Sequence, residues 1–195
     1  MNRTSEISRK TRETDIEAVL NVDGTGTASI STGIGFMNHM LELFARHGKF
    51  DLSVTAKGDL DVDAHHTMED LGLVLGEAFS RALGDKKGIR RYGNFMLPMD
   101  ETLVLIALDL SGRPMLVYDL TPPTEKVGTL DTALFHEFLQ AFCVKAGLNL
   151  HIRLLAGGEV HHIFEAVFKG LARALEQAVS IDPRENGIPS TKGIL

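Results

Sequence analysis

Apolar residues fall into short alternating runs and longer helical stripes, in an order that occurs twice. Ile16, Ala18, Leu20 and Val22 recur at every second position, the period of a strand with one buried face. Asp23-Gly24-Thr25-Gly26 is a turn signal, and residues 27–31 are expected to return as the second strand of a hairpin. Met37, Met40, Leu41 and Phe44 share one face of a predicted helix that Gly48 can end. Leu52 and Val54 mark a strand, and residues 58–63 an acidic loop. A helix is predicted from near His65 to about Leu83, with Leu71, Leu75, Ala78, Phe79 and Ala82 at helical spacing.

The second half repeats the order. Residues 103–110 are a dense apolar strand, Ser111-Gly112-Arg113-Pro114 a turn, and residues 115–120 a returning strand. Residues 133–144 read as an apolar helix with Gly147 as its cap; Leu148, Leu150 and Ile152 alternate as a strand. Gly157-Gly158 makes a loop before a helix from His161 to about Val179. Each half thus reads strand, strand, helix, strand, helix. His65 and His161 lie 96 positions apart, and in that alignment Leu71, Leu75, Ala78, Phe79 and Ala82 match Val167, Leu171, Ala174, Leu175 and Ala178.

An internal repeat sets the architecture. The expected fold is α+β and internally duplicated, with a sheet drawn from both halves and helices packed on one face. Residues 1–88 and 89–181 are the two repeat halves, joined near 84–93, where Gly, Lys and Arg interrupt the apolar pattern. Residues 182–195 hold Pro183, Gly187, Pro189 and Gly193, have no packing period, and read as a loop.

With 195 residues, 44% of them hydrophobic, the chain suffices for one large domain or two small fused ones. A net charge of −6 argues against nucleic acid as the main partner, and still allows a local basic pocket. No apolar run approaches the ~20 residues of a membrane span, and residues 1–12 lack the apolar core of a secretory signal. The lone Cys143 lies in an apolar stretch and reads as a buried thiol, so a reduced cytoplasmic protein is expected.

Four of the eight histidines stand in two copies of His-His-x-x-Glu: His65-His66-Thr67-Met68-Glu69 and His161-His162-Ile163-Phe164-Glu165. On a helix, i and i+4 share a face, so His65 can bind a cation with Glu69, and His161 with Glu165. The second histidine of each pair points about 100° away and must serve a different ion. Two such motifs meeting across a pseudo-twofold would hold two ions near one another. Imidazole and carboxylate ligands suit Mn, Fe, Co, Ni or Zn, and the lack of cysteine ligands argues against a structural zinc cluster. Asp63, Asp70 and Glu159 are candidate partners for the outer ring nitrogens. One helix earlier, each half offers a further ligand: His39 in the first, His136 or Glu137 in the second.

The chain resembles the imidazoleglycerol-phosphate dehydratase family. The resemblance rests on residues 32–41 (Thr-Gly-Ile-Gly-Phe-Met-Asn-His-Met-Leu), 65–70 (His-His-Thr-Met-Glu-Asp), 109–114 (Asp-Leu-Ser-Gly-Arg-Pro), 161–166 (His-His-Ile-Phe-Glu-Ala) and 189–193 (Pro-Ser-Thr-Lys-Gly). As a set these motifs are highly specific and run from about residue 10 to the end. The resemblance implies the monofunctional enzyme and a duplicated α+β domain. It also implies two Mn2+ ions per active site and a 24-subunit assembly with sites shared between subunits. The implied reaction removes water from D-erythro-imidazole-glycerol phosphate to give imidazole-acetol phosphate, in L-histidine biosynthesis.

Carried over by position, the metal ligands are His39, His65, His66, Glu69, His161, His162 and Glu165. The family's remaining ligand, often His, aligns with Glu137, with His136 one place earlier as the alternative. Asn38 stands where the family usually has Asp. Phosphate would be held by Arg91, Arg113, Lys169, Ser190, Thr191 and Lys192, making residues 182–195 a substrate-binding tail; guanidinium forks suit phosphate oxygens. Glu13 matches a residue near the reacting carbons and is the candidate for proton handling, with a metal-bound water or the motif glutamates Glu69 and Glu165 as alternatives. The C–H bond to be broken is acidified by no carbonyl, so a cation on each ring nitrogen would be needed to make the imidazole an electron sink. Two rival readings are a two-metal phosphoesterase and a metal-storage assembly. The first usually relies on Asp-rich ligand sets, and the second leaves the cationic positions without a role.

Overall fold

The computed structural model describes residues 3–195. Each half forms its own four-stranded sheet, so the single sheet expected from both halves is instead two. The first half comprises β1 (Thr4–Lys10), β2 (Thr14–Asn21), β3 (Ala28–Ser31), α1 (Gly35–Gly48), β4 (Asp51–Gly58) and α2 (His65–Leu83), with sheet order β1-β2-β4-β3. The second comprises β5 (Tyr92–Met99), β6 (Thr102–Asp109), β7 (Met115–Asp119), a small β8–β9 hairpin (Lys126–Val127, Leu130–Asp131), α3 (Leu134–Ala146), β10 (Asn149–Ala156) and α4 (Val160–Val179). Its sheet order, β5-β6-β10-β7, is the same topology.

The helices lie between the sheets. α1 packs on β3 and α2 on β1 and β2, while α3 packs on β7 and α4 on β5 and β6. Across the midplane α2 packs on α3, and α1 on α4. Only one face of each sheet is covered, and β6 shows it: Thr102, Val104, Ile106 and Leu108 are buried and alternate with half-buried neighbours. Between the layers Phe135 stacks on Phe164 with centroids 3.9 Å apart, and Phe79 meets Phe142 edge to face at 5.7 Å. Cys143 is buried there, and burial pushes its thiol up to about 12.

Two expected hairpins are absent. Residues 27–31 do not return on β2: β3 pairs parallel to β4, as β7 pairs parallel to β10. The hairpins that do form, β1–β2 and β5–β6, use edge strands without a legible pattern. β1 buries only Ile7, and β5 carries Pro98, whose missing N–H an edge strand tolerates. The tail from Asp182 has no helix or strand, as expected. No described helix is long and apolar enough to cross a membrane.

Candidate active site

The contact between α1 and α4 joins opposite halves and builds a cluster of ligating atoms. His39 of α1 and His161 and Glu165 of α4 bring one ligand atom each within 4.8 Å of one another. His39 Nε2 is 2.8 Å and His161 Nε2 3.4 Å from the same oxygen, Glu165 Oε1. One helical turn puts His161 over Glu165, and Phe36 meets the His161 ring edge to face at 5.1 Å. Lys169, a turn further along α4, donates to the other carboxylate oxygen. Burial opposes ionisation of Glu165, but the Lys169 ammonium and the His39 and His161 rings outweigh it and hold the carboxyl at about 2. The cluster therefore presents a fixed anionic oxygen between two imidazole nitrogens. Such a donor set fits a divalent transition-metal ion.

The motif of the first half is looser. His65 Nε2 lies 3.9 Å from Glu69 Oε2. Among the described residues, His65, His66 and Glu69 join no group of three within 4.8 Å. The two motifs thus do not meet each other across a pseudo-twofold within the chain; each motif helix packs instead on the first helix of the other half. The buried positions of α1 (Met37, Met40, Leu41, Phe44, Ala45) recur in α3 at a fixed offset as Phe135, Phe138, Leu139, Phe142 and Cys143. That offset puts Glu137, not His136, at the place of His39. His136 turns its ring edge to Tyr118 at 5.4 Å, with Nδ1 3.3 Å from Glu137 Oε1. The repeat therefore relates His39, His161 and Glu165 to Glu137, His65 and Glu69.

The second histidines have acid partners at Nδ1, though not the expected ones. His66 Nδ1 lies 3.0 Å from Asp59, and His162 Nδ1 2.9 Å from Glu101. These hydrogen bonds raise both imidazoles above their ordinary range. Asp63 instead accepts from the His65 backbone N–H, Glu159 caps α4 by accepting from His162 N, and Asp70 binds Arg9 and Thr14. Asp63 and Glu159 stand just before their helices, where their carboxylates cap backbone N–H groups. Asn38 Oδ1 accepts from Thr32 N and Oγ1, tying the start of α1 to the strand before it.

The anion-binding candidates lie mostly around the tail. Arg91, left-handed at φ 74°, sends Nε and Nη2 to Asp109 at 2.7 and 3.1 Å and donates from Nη1 to Pro189 O at 2.9 Å. This clamp is largely buried and holds the tail just before Ser190, Thr191 and Lys192. Arg113 follows Gly112, at φ 76°, where a Cβ would lie 2.7 Å from the carbonyl carbon of Leu195. The tail thus passes beside both arginines. Lys169 is engaged at Glu165. Glu13, in the β1–β2 turn, is over half exposed and 3.9 Å from His66 Nε2.

No role for Asp59, Glu101 or Asp109 followed from the sequence, although Asp109 opens the motif at residues 109–114. Glu101 had a signal: Glu101-Thr102 opens β6 as Glu13-Thr14 opens β2, a repeat visible once β1 and β5 are recognised.

The model for the family "Imidazoleglycerol-phosphate dehydratase" matches residues 32–175. An imidazoleglycerol-phosphate dehydratase of Methylorubrum populi is 59% identical over 194 residues, covering 99% of this chain and 100% of the relative. That of Lachnoclostridium phytofermentans is 60% identical over 193 residues, covering 99% and 98%. Among solved structures, the enzyme of Staphylococcus aureus superposes with a TM-score of 0.84 at 40% identity, covering 92% of this chain and 99% of that one. That of Pyrococcus furiosus, solved in complex with (S)-C348, gives 0.84 at 34% identity, covering 97% and 100%. Duplicated fold, paired motifs and full-length similarity agree: this chain belongs to the imidazoleglycerol-phosphate dehydratase family of hydro-lyases.

Proposed function

We propose that the chain dehydrates D-erythro-imidazole-glycerol phosphate to imidazole-acetol phosphate, in L-histidine biosynthesis in the cytoplasm, with two Mn2+ per active site. The observation that carries this reading is the convergence of His39, His161 and Glu165 from opposite halves. These three would hold one cation, and Glu137, His65 and Glu69 the other. His66 and His162 would complete the coordination of sites in neighbouring subunits of a 24-subunit assembly. When bound, the cations supply Lewis acidity to the substrate's imidazole ring and lower the cost of its anionic form.

The chain's own groups do the rest. Arg91, Arg113 and Lys192, with Ser190 and Thr191, bind the phosphate and hold the glycerol chain in register, an orientation effect. The Arg91–Asp109 clamp keeps the tail in place for this. The hydroxyl next to the ring leaves, and the next carbon loses its proton to give an enol that tautomerises to the ketone. Glu13, beside His66, takes that proton; Glu69 and Glu165 are the alternatives. Lys169 keeps Glu165 ionised and oriented.

The test is to incubate Mn2+-loaded protein with imidazole-glycerol phosphate. Enol or ketone product is expected, lost on chelation and restored by Mn2+. Undiminished turnover after stripping would sink the metal-dependent reading, and release of inorganic phosphate would favour a two-metal phosphoesterase instead.

A further inference from the structure

The two halves hold their second histidines in different ways, and the difference assigns a role to Glu101. The β1–β2 and β5–β6 hairpins share one register: Thr4↔Asn21 and Lys10↔Asp15 correspond to Tyr92↔Asp109 and Pro98↔Leu103. Glu13 and Glu101 therefore occupy the same place in the two turns. The following strands also correspond, since Asn21↔Asp51 matches Asp109↔Asn149. Counting the β-bulge between Leu154 and Ala156, Asp59, just past β4, then corresponds to Gly158, just past β10.

In the first half Asp59 takes His66 Nδ1 at 3.0 Å, and Glu13 is left 3.9 Å from Nε2 with its carboxylate largely in solvent. In the second half that anchor is missing, because Gly158 carries no side chain. There the hairpin acid does the anchoring: Glu101 takes His162 Nδ1 at 2.9 Å. Glu101 is itself held, since Oε1 accepts from Glu159 N at 3.1 Å and Thr102 Oγ1 at 3.0 Å. A carboxylate on one ring nitrogen fixes the tautomer and leaves the other nitrogen as the ligand.

We infer that Glu101 and Asp59 are positioning residues that place the proton of His162 and His66 on Nδ1 and direct Nε2 to a cation, and that Asp59 thereby frees Glu13, the repeat counterpart of Glu101, to face the substrate. The inference rests on the metal-dependent reading above. Two acids at one repeat position then have opposite phenotypes. Glu101 serves the cation and Glu13 the chemistry.

The experiment titrates Mn2+ into the full-length, metal-free protein by calorimetry, and measures turnover in parallel. Glu101→Ala and Asp59→Ala are expected to weaken Mn2+ binding by about 10–100-fold, the usual loss for such partners. Glu101→Gln, which keeps an acceptor, should recover part of it. Glu13→Ala should bind Mn2+ as the unsubstituted protein does and lose turnover. Magic-angle-spinning NMR of 15N-histidine protein at alkaline pH should show the Nδ1–H form for His162, lost in Glu101→Ala. Unchanged Mn2+ affinity in both Glu101→Ala and Asp59→Ala would overturn the inference, as would an equal loss in Glu13→Ala. If the unsubstituted protein takes up no Mn2+, the metal-dependent reading falls first and this one with it.

Discussion

Single residues here work through what neighbours do to their charge. Glu165 stays ionised because Lys169 and two imidazoles surround it, so it is a fixed anion rather than a titrating one. Glu165→Gln keeps the shape and removes the charge. Mn2+ affinity, read by calorimetry, should fall by more than the roughly 10–100-fold typical of an outer partner, with turnover falling alongside. Unaltered metal content and turnover would remove Glu165 from the ligand set. Asp51 offers a test of stability away from the site. It accepts from Thr25 N at 2.8 Å and Thr27 N at 3.1 Å, which depresses its carboxyl below the ordinary 3.8. A depressed carboxyl stabilises the fold above its unfolded value, and that contribution fades as pH falls through 3.8 and below. Asp51→Asn should therefore cost about 1 kcal/mol in urea unfolding at pH 7, and the gap to the unsubstituted protein should narrow toward pH 3.

At the scale of elements, the most extensive packing is between α2 and α3, which brings the first-half motif helix against the Glu137 helix. Gly72 and Gly76 make the approach possible: a Cβ on Gly72 would lie 2.3 Å from Phe138 O, and one on Gly76 2.5 Å from Phe142 O. Helix propensity alone favours alanine over glycine by about 1 kcal/mol. Packing should reverse the sign, with Gly76→Ala destabilising by about 1–3 kcal/mol in denaturant unfolding as the helices are forced apart. A stabilised Gly76→Ala would mean the two helices have room to spare. The helices themselves were legible in the chain because their apolar stripes are wide and long. The edge strands were not, because β1 has one buried side chain and β5 contains a proline.

For the whole molecule, the site is a product of assembly between halves and, in our proposal, between subunits. His66 and His162 stand outside the His39–His161–Glu165 group of their own chain. Chains carrying His39→Ala or His66→Ala should each be inactive alone. Co-expressed as mixed assemblies, they should recover a measurable fraction of turnover, since some sites then draw His39 from the His66→Ala chain and His66 from the His39→Ala chain. No recovery in assemblies of unchanged size by ultracentrifugation would argue that sites are not shared. The amino-acid order by itself determined the duplication, the four long helices and the positions of the paired His-His-x-x-Glu motifs, because hydrophobic periodicity and i,i+4 spacing are local properties of the chain. Tertiary structure alone decided that each half closes its own sheet and that β3 and β7 pair in parallel. It also decided that His39 meets Glu165, and that Asp59 and Glu101 hold the second histidines. Those outcomes depend on contacts between residues far apart in sequence, where which faces pack and which strands pair is set by the fold as a unit.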